Sequence, residues 1–88
     1  MLEKDFLIVN RLGLHARAAA VLVQTAGKFS SEVMLEKDGV EVNGKSIMGV
    51  LMLAAPKDSK IVVRVDGDDE QAAMTALEAI IHDGFGED

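Results

Sequence analysis

His15 is the residue best suited to chemistry in this 88-residue chain. It stands in Gly13-Leu14-His15-Ala16-Arg17, between a glycine-containing loop and an alanine-rich stretch. A neutral imidazole is nucleophilic near pH 7. Attack on phosphorus gives a phosphoramidate, and imidazole leaves again readily, so the group suits reversible phosphoryl transfer. The alanine-rich stretch predicts a helix, with His15 at its N-cap or in its first turn. The first four N–H groups of a helix have no intrahelical partner. Together with the positive end of the helix dipole, the backbone of Ala16, Arg17 and Ala18 would form an anion site. Arg17 adds a guanidinium able to take phosphate oxygens in bidentate fashion. The bland alternative is an exposed histidine at a helix start, a place that favours Ser, Thr, Asp and Asn. The surrounding segment also holds Arg11 and no acid, which predicts a locally positive end on an otherwise acidic molecule.

The elements that must position this group read as follows. Residues 4–10 are short, apolar and β-rich, and predict a strand. Ala16 to about Ala26 favours helix. Its buried stripe would be Ala19, Leu22, Val23 and Ala26, and Gly27 would close it as a C′ glycine. Phe29 should then turn back into the core. Glu32–Lys37 and residues 40–42 predict two strands joined at Asp38-Gly39, a tight-hairpin signal. Ser46 opens a short apolar helix, Ile47–Leu53, and Pro56 prevents its continuation. In the strand Lys60–Asp66, Ile61, Val63 and Val65 share one side, with Val62 and Arg64 on the other. Gly67-Asp68-Asp69 opens the last helix, with acids at the positive end of its dipole. Ala73, Leu77, Ile80 and Ile81 form its stripe, and Gly84 ends it. The order is βαββαβα. It implies an α+β open-faced sandwich, a four-stranded antiparallel sheet with three helices on one face, as a single domain over residues 1–88.

Composition excludes several other functions. The formal net charge is −6, with no Trp or Tyr to stack on bases, so no nucleic-acid role is expected. Much of the acid sits in residues 66–70 and in Glu87 and Asp88. The chain has no cysteine, which removes disulfides and makes a structural zinc site implausible. No metal or cofactor is expected. Apolar residues make up 49% of the chain, enough for a core to hold the fold alone. The first residues lack the pattern of a signal peptide, and no apolar run reaches the ~18 residues of a membrane span. The expectation is a soluble, cytoplasmic, monomeric protein. Gly44-Lys45-Ser46 looks like the end of a P-loop but lacks its upstream glycine and spacer, which argues against nucleotide binding. His82, Lys28, Lys45 and Lys57 read as solvated surface groups. No second acid or base is identifiable beside His15, so a free-standing histidine enzyme is disfavoured.

Gly13-Leu14-His15-Ala16-Arg17, followed by a helix, resembles the active-site motif of the HPr family, the histidine-containing phosphocarriers of the bacterial phosphotransferase system. Asn43-Gly44-Lys45-Ser46-Ile47-Met48-Gly49-Val50 resembles that family's regulatory region. The resemblance covers essentially the whole chain. It implies that His15 is phosphorylated on Nδ1 by enzyme I, using phosphoenolpyruvate. The group would then pass to IIA proteins or domains of sugar transporters. The chain would thus be a carrier with a phosphohistidine intermediate, not an enzyme in its own right. One departure is Ala18, where the family usually has proline; slightly looser preorganisation and retained chemistry are expected.

Ser46 by itself reads as an N-cap. The resemblance adds a regulatory role, as the target of an HPr kinase/phosphorylase, with a phosphate that could repel an acidic docking surface. Ile47, Met48 and Leu51 cannot all be buried if Val50 and Leu53 face the core. They are either ordinary exposed aliphatics or, with Ala20, a partner-docking patch. A regulatory binding protein controlled through Ser46 is the competing function. The Lys45–Gly49 block resembles the sugar-linked carriers, and Gly84-Phe85-Gly86-Glu87-Asp88 resembles the carriers of a nitrogen-linked branch.

Overall fold

The computed structural model describes residues 1–87; Asp88 lies outside them. The elements are β1 (Leu2–Leu7), α1 (Ala16–Ala26), β2 (Glu32–Lys37), β3 (Val40–Asn43), α2 (Ile47–Leu53), β4 (Lys60–Asp66) and α3 (Glu70–His82). A single 3-10 turn, Gly84–Gly86, follows α3. The strands form one antiparallel sheet in the order β1-β4-β2-β3. Ile61, Val63 and Val65 of β4 are fully buried, as is Leu35 of β2. They meet Leu22 of α1, Val50 of α2, and Leu77 and Ile81 of α3 in one core. The helices therefore cover one face, and the period-two alternation of the central strands leaves the other open. Among the described residues, no helix is long and apolar enough to cross a membrane.

β1 lies earlier than the expected span of residues 4–10. It pairs with β4 from Leu2↔Val65 to Leu7↔Lys60, and its partner begins at Lys60. Beyond that, Ile8 exchanges hydrogen bonds with Ser59 and Asp58, and Asn10 enters a turn closed by the Gly13 N–H on the Asn10 carbonyl at 3.1 Å. In the β2–β3 hairpin, Asp38 and Gly39 have φ of 52° and 82°. Two successive positive φ values match the twist of the strands on either side.

Two helix ends differ from expectation. Gly27 does cap α1, but with φ −66°, in the right-handed region. The chain continues in tighter right-handed turns, with Lys28 N–H on the Thr25 carbonyl and Phe29 N–H on that of Ala26. These satisfy the terminal carbonyls without a left-handed residue. Phe29 packs half-buried against the core. Asp69 caps α3 without bonding its N–H groups. Its carboxylate instead accepts from Ser30 N–H (2.9 Å), Ser31 N–H (3.0 Å) and the Ser31 hydroxyl. The α3 stripe is Ala73, Met74, Leu77 and Ile81, with Ile80 half-buried. Met74, absent from the expected stripe, is fully buried, whereas Ile80 is not.

Candidate functional site

Gly13 sets the entry to α1. Its φ is +67°, and an added Cβ would lie 2.4 Å from the Ala55 carbonyl oxygen. That carbonyl accepts the Leu14 N–H at 2.9 Å, so the loop is clamped against the segment after α2. Leu14 is buried beneath it. His15 is then the N-cap of α1, with extended backbone (φ −81°, ψ −176°). Its carbonyl takes the first helical bond, from Ala19 N–H at 2.8 Å. The N–H groups of Ala16, Arg17 and Ala18 precede that bond and form the open end of the helix. Ala18 is fully buried and Ala20 half-buried, while Arg17 is exposed. The His15 side chain keeps 33% of its surface accessible, enough for a partner to reach it. Arg11, Leu12, Arg17, Gly86 and Glu87 line an open depression of about 250 Å³ at this corner.

The expectation that no acid stands near His15 is corrected here. Glu87 Oε2 lies 2.7 Å from His15 Nε2. Its other oxygen, Oε1, accepts from Asn10 Nδ2 at 2.8 Å. The same Asn10 nitrogen donates to the Gly13 carbonyl at 2.8 Å. The Glu87 side chain is only 11% exposed. Burial pushes its carboxyl up, but hydrogen bonds from His15 and Asn10 and the charges of His15 and Arg17 outweigh this and hold it below the usual range. The corner therefore mixes two arginines with a carboxylate instead of being uniformly positive. A carboxylate that can orient or take a proton from His15 is thus present, though residues 1–20 contain no hint of it. One sequence signal could have revealed it. Gly84-Phe85-Gly86 sets an aromatic residue between two glycines, and Phe85 is buried with φ 59° between two further positive-φ residues. The anchored ring turns the chain back and delivers Glu87 to the start of α1.

Ser46 is the N-cap of α2, and its Oγ accepts from Gly49 N–H at 3.1 Å. Val50 and Leu53 are buried, whereas Ile47, Met48 and Leu51 are exposed, Met48 by 73%. Met52 is exposed as well. Lys45 is not merely solvated: its Nζ donates to the Phe29 carbonyl at 2.7 Å and ties the loop before α2 to the end of α1. His82 is exposed, with its ring edge-on to Phe6.

Residues 2–83 match the family model described as the PTS HPr component phosphorylation site. Two relatives named phosphocarrier protein HPr align over nearly the whole chain. The one from Cupriavidus necator is 54% identical and covers 99% of this chain and 98% of its own. The one from Xylella fastidiosa is 53% identical and covers 100% and 99%. A crystal structure of HPr from Thermoanaerobacter tengcongensis superposes with a TM-score of 0.96 at 46% identity, covering 100% of this chain and 99% of that one.

Proposed function

The chain belongs to the HPr family of phosphotransferase-system phosphocarriers, and from that premise we propose that it accepts a phosphoryl group on His15 from enzyme I and gives it to IIA proteins or domains. The observation that carries this is His15 as a partly accessible N-cap of α1. A phosphoryl group on its ring would meet the open N–H groups of Ala16, Arg17 and Ala18. The helix end is worth about 0.3–2 kcal/mol to an anion. That steadies the phosphate without trapping it, as a carrier requires. Arg17 supplies the mobile counter-charge. No enclosed substrate pocket is needed, because donor and acceptor proteins provide the rest of each site.

Enzyme I and the acceptors would dock on Ile47, Met48 and Leu51 of α2 and on Ala20 of α1. Ser46, at the head of that apolar surface, would regulate docking if a kinase phosphorylates it. Its hydroxyl already caps α2, so the modification would put a dianion beside the patch. Transfer from phosphoenolpyruvate through enzyme I tests the central reading. Native protein should gain one acid-labile phosphate and His15→Ala none; equal labelling of both would overturn it.

A further inference from the structure

We propose that Glu87, seated by Asn10, is a positioning residue for phosphoryl transfer: it holds His15 with the proton on Nε2, so that Nδ1 presents its lone pair to phosphorus. This rests on the reading of His15 as the acceptor.

Both contacts of the Glu87 carboxylate demand an acceptor. Oε1 receives the Asn10 amide and Oε2 faces His15 Nε2 at 2.7 Å. A carboxylate has no proton to give, so the imidazole must donate through Nε2. In the neutral ring that leaves Nδ1 unprotonated. Asn10 fixes the direction of the carboxylate, and it does so from the interior, at 1% exposure. Its Oδ1 is buried with no hydrogen-bond partner among the described residues. Leaving a buried acceptor unpaired is destabilising. An apolar residue would avoid that cost but would lose both Nδ2 contacts, to the Gly13 carbonyl and to Glu87.

The transfer balances without a proton leaving the ring. The Nδ1 lone pair forms the new P–N bond while the bond from phosphorus to the donor protein breaks, its electron pair staying with the donor. The product is a phosphoimidazolium whose Nε2–H still points at the Glu87 carboxylate. The charge gained by the ring is thus met by a partner already in place. On donation to an acceptor, the electron pair returns to Nδ1 and the ring is neutral again, with its proton where it began.

Long-range 1H–15N correlation of the His15 ring in alkaline buffer, with the imidazole neutral, reads the ratio of the two tautomers. In Glu87→Ala the ratio of Nε2–H to Nδ1–H should fall about tenfold, as expected for loss of a charge-assisted hydrogen bond. Glu87→Gln, which keeps an oxygen for Nε2–H, should recover part of it. Labelling by phosphorylated enzyme I should slow in the same order. Glu87 lies outside the core, so both variants should fold. A tautomer ratio unchanged in Glu87→Ala would overturn the proposal. Labelling of His15→Ala would instead overturn the acceptor assignment, leaving the two failures distinct.

Discussion

A methyl group on Gly13 would collide with the Ala55 carbonyl and would need a backbone that L-residues rarely adopt. The glycine is therefore required by two independent conditions, close approach and positive φ, and both serve to aim His15. Asn10 is constrained differently, by hydrogen bonds alone. Ser46 combines a structural duty with exposure of the surface it heads. Replacing it by alanine should lower stability by about 1 kcal/mol through loss of the cap and leave His15 labelling intact. Ser46→Asp and Met48→Asp should both slow labelling by enzyme I at limiting concentration, because each places negative charge on the apolar patch. Native labelling rates in both would remove α2 from the docking surface. The N-cap positions of His15 and Ser46 were legible because each belongs to a local pattern. Glu87 was not, since its contact with His15 depends on how Phe85 seats, a matter of tertiary packing.

At the scale of elements, local chemistry decided most of the outcome. The α2 cap, the Asp38-Gly39 hairpin and the alternation in β4 follow from short windows of sequence. The end of β1 does not: it stops where β4 stops offering partners, a property of register. The start of α3 is another such case. Asp69 reads locally as a cap, yet its carboxylate ties α3 to the Ser30-Ser31 segment before β2. The Ser31 hydroxyl and the Ser30 N–H are the main causes that bring its pKa down to about 2, against an ordinary 3.8. A carboxyl depressed in the folded state adds stability above its unfolded pKa, and that stability is lost as pH falls through the folded value. Urea midpoints should therefore show native protein more stable than Asp69→Asn above about pH 4, with the gap closing towards pH 2. A constant gap across that range would mean that the Ser30–Asp69 clasp is not what the carboxylate contributes.

For the molecule as a whole, the open face of the sheet must hold together acids that would otherwise repel. Arg64 of β4 does this, bonding Glu3 of β1 at 2.8 Å, Glu36 of β2 at 2.7 Å and Glu41 of β3 at 2.9 Å. Glu36 and then Glu3 raise its already high pKa further, so it stays charged throughout the working range. On a chain of net charge −6, one cation thus links four strands. Arg64→Met should lower the melting temperature at low ionic strength, and the deficit should shrink in about 0.5 M salt, where exposed charges are screened. A deficit independent of salt would assign Arg64 to packing. Sequence shows the alternation that puts Arg64 outside, but the strand order that gathers its three partners is a property of topology.

The contact between His15 and Glu87 spans 72 positions of the chain. Closing a loop of that length carries an entropic cost, and every element from α1 to α3 lies within it. During synthesis His15 leaves the ribosome long before Glu87 does. The nascent chain thus carries the His15 ring early and can meet it with Glu87 only late, so the contact belongs to the chain as a whole and to no shorter piece of it.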